Sequence, residues 1–211
     1  MTVTSRLALA PEYSMLYAKC EPGVAAKGAP ARNLDLDISG VVNTIVVGKA
    51  RYQTVEVDTG VPWWFTGILH ALECCSNFKK HLHNGDPLDA PTVHVPSGRP
   101  LSDPPFTWEE SAEDALLMKG WGPDDVARIS GVPDWTLPTV LWRFEMWNGF
   151  GYRAKGIRTP YLWAASNLEQ PGRFVKDSTW DGAKWSSQVG AAVILKTLVE
   201  RGYVTLQGGK P

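Results

Sequence analysis

Between Val61 and Leu72 the apolar residues Val61, Trp64, Phe65, Ile68, Leu69 and Leu72 recur at three- and four-residue spacing. That pattern demands a helix with one buried face. Pro62 follows the Thr59-Gly60 turn and suits a first helical position, because its missing N–H is one the helix leaves unpaired anyway. Glu73 falls in the last turn, beside the apolar stripe. Downstream, Asn84-Gly85-Asp86-Pro87 is turn chemistry, and Thr92-Val93-His94-Val95 alternates as a short strand before Pro96-Ser97-Gly98 turns the chain again. The expectation is a helix that ends on one carboxylate, followed by a small β-hairpin with a second carboxylate, Asp86, at its edge.

Two carboxyl groups in unequal surroundings carry a definite chemistry. Against apolar side chains a carboxyl group loses hydration more in its charged form, so Glu73 is expected to hold its proton and act as a general acid. Asp86, at a hairpin edge open to water and facing the helix end, is expected to stay ionised. Glycoside hydrolysis needs that division of labour: one group protonates the leaving oxygen, and the other orients water or stabilises positive charge on the sugar.

At these residues the chain resembles lysozymes and related peptidoglycan glycosidases, in which a catalytic Glu closes a helix ahead of a β-hairpin. The order Glu73, Asp86, Thr92 resembles the Glu, Asp, Thr series of phage-type lysozymes, including the five residues between Asp and Thr. Asp89 lies in the same predicted hairpin and is the alternative second carboxylate. Goose-type lysozymes and lytic transglycosylases commonly follow the catalytic Glu with Ser, where this chain has Cys74. Asn148-Gly149-Phe150-Gly151-Tyr152 resembles the Gly-rich segment that lines the glycan cleft in that superfamily, where glycine lets backbone approach a sugar. The block from His70 to Pro100, with Trp108-Glu109-Glu110-Ser111-Ala112, also resembles phage endolysins. The resemblance is loose over residues 45 to 200 and close only in the motif segments.

Composition narrows the alternatives. With 211 residues, 44% of them hydrophobic, the chain can bury a substantial core. Its formal net charge of -1 supplies no global field toward nucleic acid or an anionic membrane. Lys79, Lys80 and His81 read as a solvated helix end, with a patch that binds an acidic polymer as the lesser alternative. No segment reaches membrane-span length, and Leu7-Ala8-Leu9-Ala10-Pro11 is too weak for a signal peptide, so synthesis in the cytoplasm is expected. The resemblance then implies that a phage holin admits the protein to the wall. Cys74 and Cys75 are adjacent and Cys20 is distant, which argues for three buried or inert thiols rather than disulfides. Cys74 or Cys75 as a nucleophile near His70, His81 and His83 is the lesser alternative, since neither opens a helix. His81, His83 and His94 lack a metal-ligand spacing with cysteine, so no metal and no cofactor is expected.

The remainder reads as mostly helical. Glu12 to Cys20 is a short helix, Gly23 to Asn33 a connector, and Ile38 to Val55 a helix whose Val and Ile content admits some strand. Leu101 to Phe106 is a Pro-rich loop. Thr107 with Glu110 forms a capping-box pattern ahead of Ala112, Ala115, Leu116 and Leu117. Pro123 to Ile129 is a short helix ended by Gly131, and Pro138 to Trp147 is another. Asp181 to Arg201 reads as one long helix with Trp185, Val189, Ala192, Leu195, Leu198 and Val199 inside, closed by Gly202. Residues 1–40 are expected to be an extension on or leading into a single domain over 41–211.

Ten tryptophans is several times the usual share. Trp and Tyr offer rigid faces on which sugar C–H faces stack. Trp147, Tyr152, Tyr161 and Trp163 lie in or after the Gly-rich segment and are candidates for glycan subsites; Trp64, Trp142 and Trp185 sit in helical patterns and read as core. Glu145 precedes the Gly-rich segment and is either a paired helix residue or a further site carboxylate. Glu109 and Glu110 suit the first turn of their helix, where negative charge is favourable. Gln188 faces either the cleft or solvent.

The expectation is thus a mainly α, lysozyme-like fold with a small β-hairpin flanking a cleft, acting as a monomeric endolysin. It would hydrolyse the β-1,4 bond between N-acetylmuramic acid and N-acetylglucosamine with Glu73, Asp86 and Thr92, and place the glycan with Asn148, Tyr152, Tyr161 and Trp163. A lytic transglycosylase, a glycan-binding module without turnover and a zinc amidase are the alternatives.

Overall fold

The computed structural model describes residues 4–122, 134–176 and 179–207. The protein is mostly helical with one small antiparallel sheet. In order, the elements are α1 (Arg6–Lys19), α2 (Leu34–Val47), α3 (Lys49–Thr59), α4 (Trp63–Cys74), α5 (Trp108–Met118), α6 (Leu137–Asn148), α7 (Gly151–Ala154), α8 (Pro160–Trp163), β1 (Arg173–Lys176), β2 (Thr179–Asp181) and α9 (Ala191–Glu200). They form two compact units: Met1–Val42 with Trp135–Pro211, and Asn43–Asp134. Residues 1–42 therefore share a unit with the C-terminal part of the chain. The helix expected over Pro123 to Ile129 lies outside the described residues.

In the central unit, α4 matches the apolar periodicity: Phe65, Ile68, Leu69 and His70 have no exposed surface. Pro62 is its N-cap rather than its first helical residue. The single helix expected from Ile38 to Val55 is two helices, α2 and α3, broken at Gly48. Gly60, at φ 72°, ends α3 with its N–H on Glu56 O, a left-handed cap that glycine adopts without a Cβ penalty. Gly67 is where α4 meets its neighbours, since a Cβ there would lie 2.8 Å from Ile45 Cγ2 and 3.1 Å from the Tyr52 ring. Tyr52 fills that contact and places its hydroxyl 3.0 Å from His70 Nδ1. α5 starts on the expected capping box, with Thr107 and Glu110 satisfying each other's backbone N–H. Arg51 ties α3 to α5 through two bonds to Glu109, at 2.6 and 2.8 Å.

In the other unit, α1 packs on α6, and α9 on α8 and α6. α1 begins six residues earlier than the sequence suggested, capped by Ser5. Lys196 of α9 donates to Tyr17 O and Cys20 O at the end of α1, where a cation is favourable beside the carbonyls of the last turn.

Two further expectations are corrected. The segment Thr92–Val95 is not a strand: Thr92 N–H donates to Arg99 O and Gly98 N–H to Thr92 O, closing a compact loop. The Val93 and His94 N–H groups that a ladder would use are taken by the Asp86 carboxylate, and Pro91, Pro96 and Pro100 supply no donor with which to extend the pairing on either side. The small hairpin is instead β1–β2, where Phe174 stands opposite Trp180 and their rings lie 5.1 Å apart. The second correction concerns the long helix, which begins only at Ala191 and so excludes Asp181 to Gly190. Gly190 sits at ψ 152° and touches Leu162, whose carbonyl oxygen would lie 2.3 Å from a Cβ at that position. Upstream, Ser186 is held in loop conformation, its N–H on Glu169 and its carbonyl on Arg32.

Candidate functional site

Glu73 occupies the last turn of α4 and is half-buried. Past it the chain reverses sharply. Cys75 takes the left-handed conformation at φ 51° with its N–H on His70 O, and Ser76 follows at φ 55°. A tight loop then closes on itself through His81 N–H to Asp86 O at 2.7 Å, Gly85 N–H to His81 O at 2.9 Å and Leu88 N–H to Lys79 O at 3.2 Å. This loop lies against the end of α4. The Cys74 thiol donates to His81 O, and a Cβ on Gly85 would stand 3.4 Å from the Glu73 carbonyl oxygen.

Asp86, next in the chain, is buried rather than open to water. Its Oδ2 accepts the N–H groups of Val93 and His94 at 2.8 and 3.0 Å, and its Oδ1 lies 2.6 Å from His94 Nδ1. Burial opposes its charge, but the His94 backbone and ring bonds and the Val93 N–H outweigh that and hold the carboxyl at about 2. Asp86 is thus ionised, as expected, yet both oxygens already serve the loop. Thr92 is equally committed: its hydroxyl donates to Pro96 O and accepts from Arg99 N–H. Asp89 is the exposed carboxylate of this segment. It lines a groove of about 550 Å³ together with Phe78, Pro87, Leu88, Trp108 and the Arg51–Glu109 pair.

The histidines are divided among separate tasks. His81 is fully buried between Ser111 Oγ and Ala90 O, each 2.8 Å away. His83 bonds Asp114, which also takes the Arg99 guanidinium on both oxygens. Burial lowers the His83 pKa against the pull of Asp114. Among the described residues no group of three or more His, Cys, Asp or Glu is placed to hold a metal ion. Burial pushes the Cys74 thiol up to about 12, so it is no thiolate at neutral pH.

The four residues expected to place a glycan lie in the other unit. Asn148 is exposed, its amide 3.5 Å from Thr159 Oγ1. Tyr152 packs against Phe174 and Trp180, with ring centroids 5.3 and 5.7 Å away. Tyr161 and Trp163 are 9% and 2% exposed, so they are core side chains and present no open stacking face to a polymer. Of the three tryptophans read as core, Trp64 is buried, while Trp142 and Trp185 are half-buried.

No known family model, curated protein or solved structure matches the chain. Among the described residues no helix is long and apolar enough to cross a membrane.

Glu145, expected as either a paired helix residue or a site carboxylate, is paired, within a constellation whose other members the sequence does not mark. Glu145 of α6 is 1% exposed and takes the Tyr13 hydroxyl at 2.6 Å and Arg153 Nη2 at 2.7 Å, while Arg153 Nη1 reaches Glu12. Glu12, Glu145 and Arg153, with Arg158, Thr159, Trp163 and Gln170, line a cavity of about 260 Å³. Only Glu145 and Trp163 carried any signal in the sequence; Arg153 sits in the short helix α7 and Arg158 in the loop after it, neither within a distinctive pattern.

Proposed function

We propose that the protein is a peptidoglycan glycosidase of endolysin type, a muramidase whose general acid is Glu73. The observation that supports this reading is the junction at the end of α4. There a half-buried carboxylate closes an apolar helix, the Gly85 backbone folds against its carbonyl, and the next residue, Asp86, is an ionised carboxylate. In this reaction Glu73 gives its proton to the glycosidic oxygen as the C–O bond breaks, and water adds to the sugar C1 and loses its proton to a carboxylate. Asp86 fixes the loop that Thr92 closes, and Asp89 is the exposed group able to meet water. The proposal rests on the central unit alone. It implies a protein made in the host cytoplasm that meets peptidoglycan once the inner membrane is opened.

A second reading is favoured by one observation. Because both oxygens of Asp86 are occupied by Val93 and His94, a lytic transglycosylase, which needs a single acid/base Glu and uses the sugar's own hydroxyl in place of water, requires less of Asp86.

The test is release of soluble fragments from dye-labelled sacculi by the wild type and Glu73→Gln. The expected loss is at least about 10²-fold, the scale of a lost general acid, with sacculus binding retained. Equal release by the two proteins refutes the role of Glu73. Binding without release by either one transfers the assignment to a glycan-binding module.

A further inference from the structure

The cavity beside Glu145 lies within one unit and plays no part in the glycosidase proposal. Its charges are arranged unevenly. Glu145 is satisfied by Tyr13 and Arg153, and Arg153 is shared between Glu145 and Glu12. Arg158 is different. Its backbone N–H donates to Gln170 and its Nε to Leu168 O, which fixes the guanidinium. Among the described residues its Nη1 and Nη2 have no hydrogen-bond or ion-pair partner. Burial lowers its pKa while the charge of Glu12 works the other way, as for a cation drawn out of water with no anion in contact.

A partly desolvated guanidinium with two free nitrogens is a fork for a carboxylate, which it can hold through two parallel bonds. Glu12, on the same cavity wall, has a side chain 40% exposed; Arg153 Nη1 lies 3.1 Å from each of its oxygens, and each keeps a further lone pair for an ammonium group. Thr159 and Gln170 add neutral polar groups, and Trp163 and Ile157 an apolar wall. A volume of about 260 Å³ falls below the range of drug-sized pockets and fits a compact metabolite rather than a polymer. We propose that this cavity binds a small α-amino acid, its carboxylate on Arg158 and its ammonium group at Glu12.

Calorimetric titration of the full chain with L-alanine, D-alanine, alaninamide and propionate tests this. Alanine of at least one hand binds saturably at millimolar concentrations or below; alaninamide, without the carboxylate, and propionate, without the ammonium, bind at least about tenfold more weakly. Arg158→Gln weakens alanine binding by at least about tenfold while its circular dichroism and melting match the wild type. Where that variant fails to fold, the three ligand classes on the wild type decide the question. Absence of saturable alanine binding overturns the proposal, as does alaninamide or propionate binding as tightly as alanine, or a folded Arg158→Gln with unchanged affinity. Loss of sacculus clearing in Glu73→Gln leaves these titrations unaffected, so the two proposals fail separately.

Discussion

Replacing Asp86 by Asn removes a charge that three donors converge on: Val93 N–H, His94 N–H and the His94 ring. The carboxyl is held at about 2 against an ordinary value of 3.8. At about 1.4 kcal/mol per unit, this bounds the contribution at about 2.5 kcal/mol. The His94 side chain is 78% exposed, so solvent screening reduces the figure to about 1–2 kcal/mol. A carboxyl whose pKa is lower in the folded than in the unfolded state contributes fully above the unfolded value. That contribution is lost as pH falls through the folded one. The deficit of Asp86→Asn, read by urea denaturation, is therefore about 1–2 kcal/mol at pH 7, shrinks below about pH 4 and vanishes near pH 2. At neutral pH the Val93 and His94 amides exchange about 5–30-fold faster in the variant. Equal stability at pH 7, with unchanged exchange at those two amides, would refute the anchoring role and leave both oxygens free for catalysis.

Glu145→Gln leaves Arg153 with a weaker partner in a buried setting while Glu12 still pairs with it, and a loss of about 1.5–3 kcal/mol is expected in denaturant; an unchanged stability contradicts the buried network. Gly190→Ala drives a Cβ into the Leu162 carbonyl, so the yield of folded protein falls and Tm drops; an unchanged Tm contradicts that contact. Iodoacetamide at pH 8 alkylates exposed Cys75 and spares Cys74 and Cys20, whose thiols burial pushes upward; mass spectrometry of the native protein reads this, and rapid labelling of Cys74 contradicts its burial against His81.

Elements whose signal was local were legible in the sequence. The α4 stripe and the Thr107–Glu110 box appear where their patterns put them, because a buried face and a cap are written within one turn or two. The hairpin was misplaced because alternation over Thr92–Val95 looks like a strand until partners are counted: the Val93 and His94 N–H groups go to the Asp86 carboxylate instead of to a neighbouring strand. The real pair, Phe174 opposite Trp180, depends on a cross-strand contact. Helix α9 was extended too far upstream because the stop at Gly190 comes from Leu162, which is distant in the chain. The same limit applies to the candidate site. The ionisation of Asp86 followed from its type, but its burial under His94 and Val93 is a property of the folded loop. The cavity at Arg158 draws on four separate segments of chain, around Glu12, Glu145, Arg158 and Gln170.

The most direct measurement is mass spectrometry of the soluble fragments released from purified peptidoglycan by the wild type and by Glu73→Gln. Fragments with free reducing N-acetylmuramic acid ends are expected from the wild type and none from the variant; 1,6-anhydro ends would shift the mechanism to a lytic transglycosylase with Glu73 in the same role. Glycan left intact by the wild type, or cleaved equally by Glu73→Gln, would contradict the proposal.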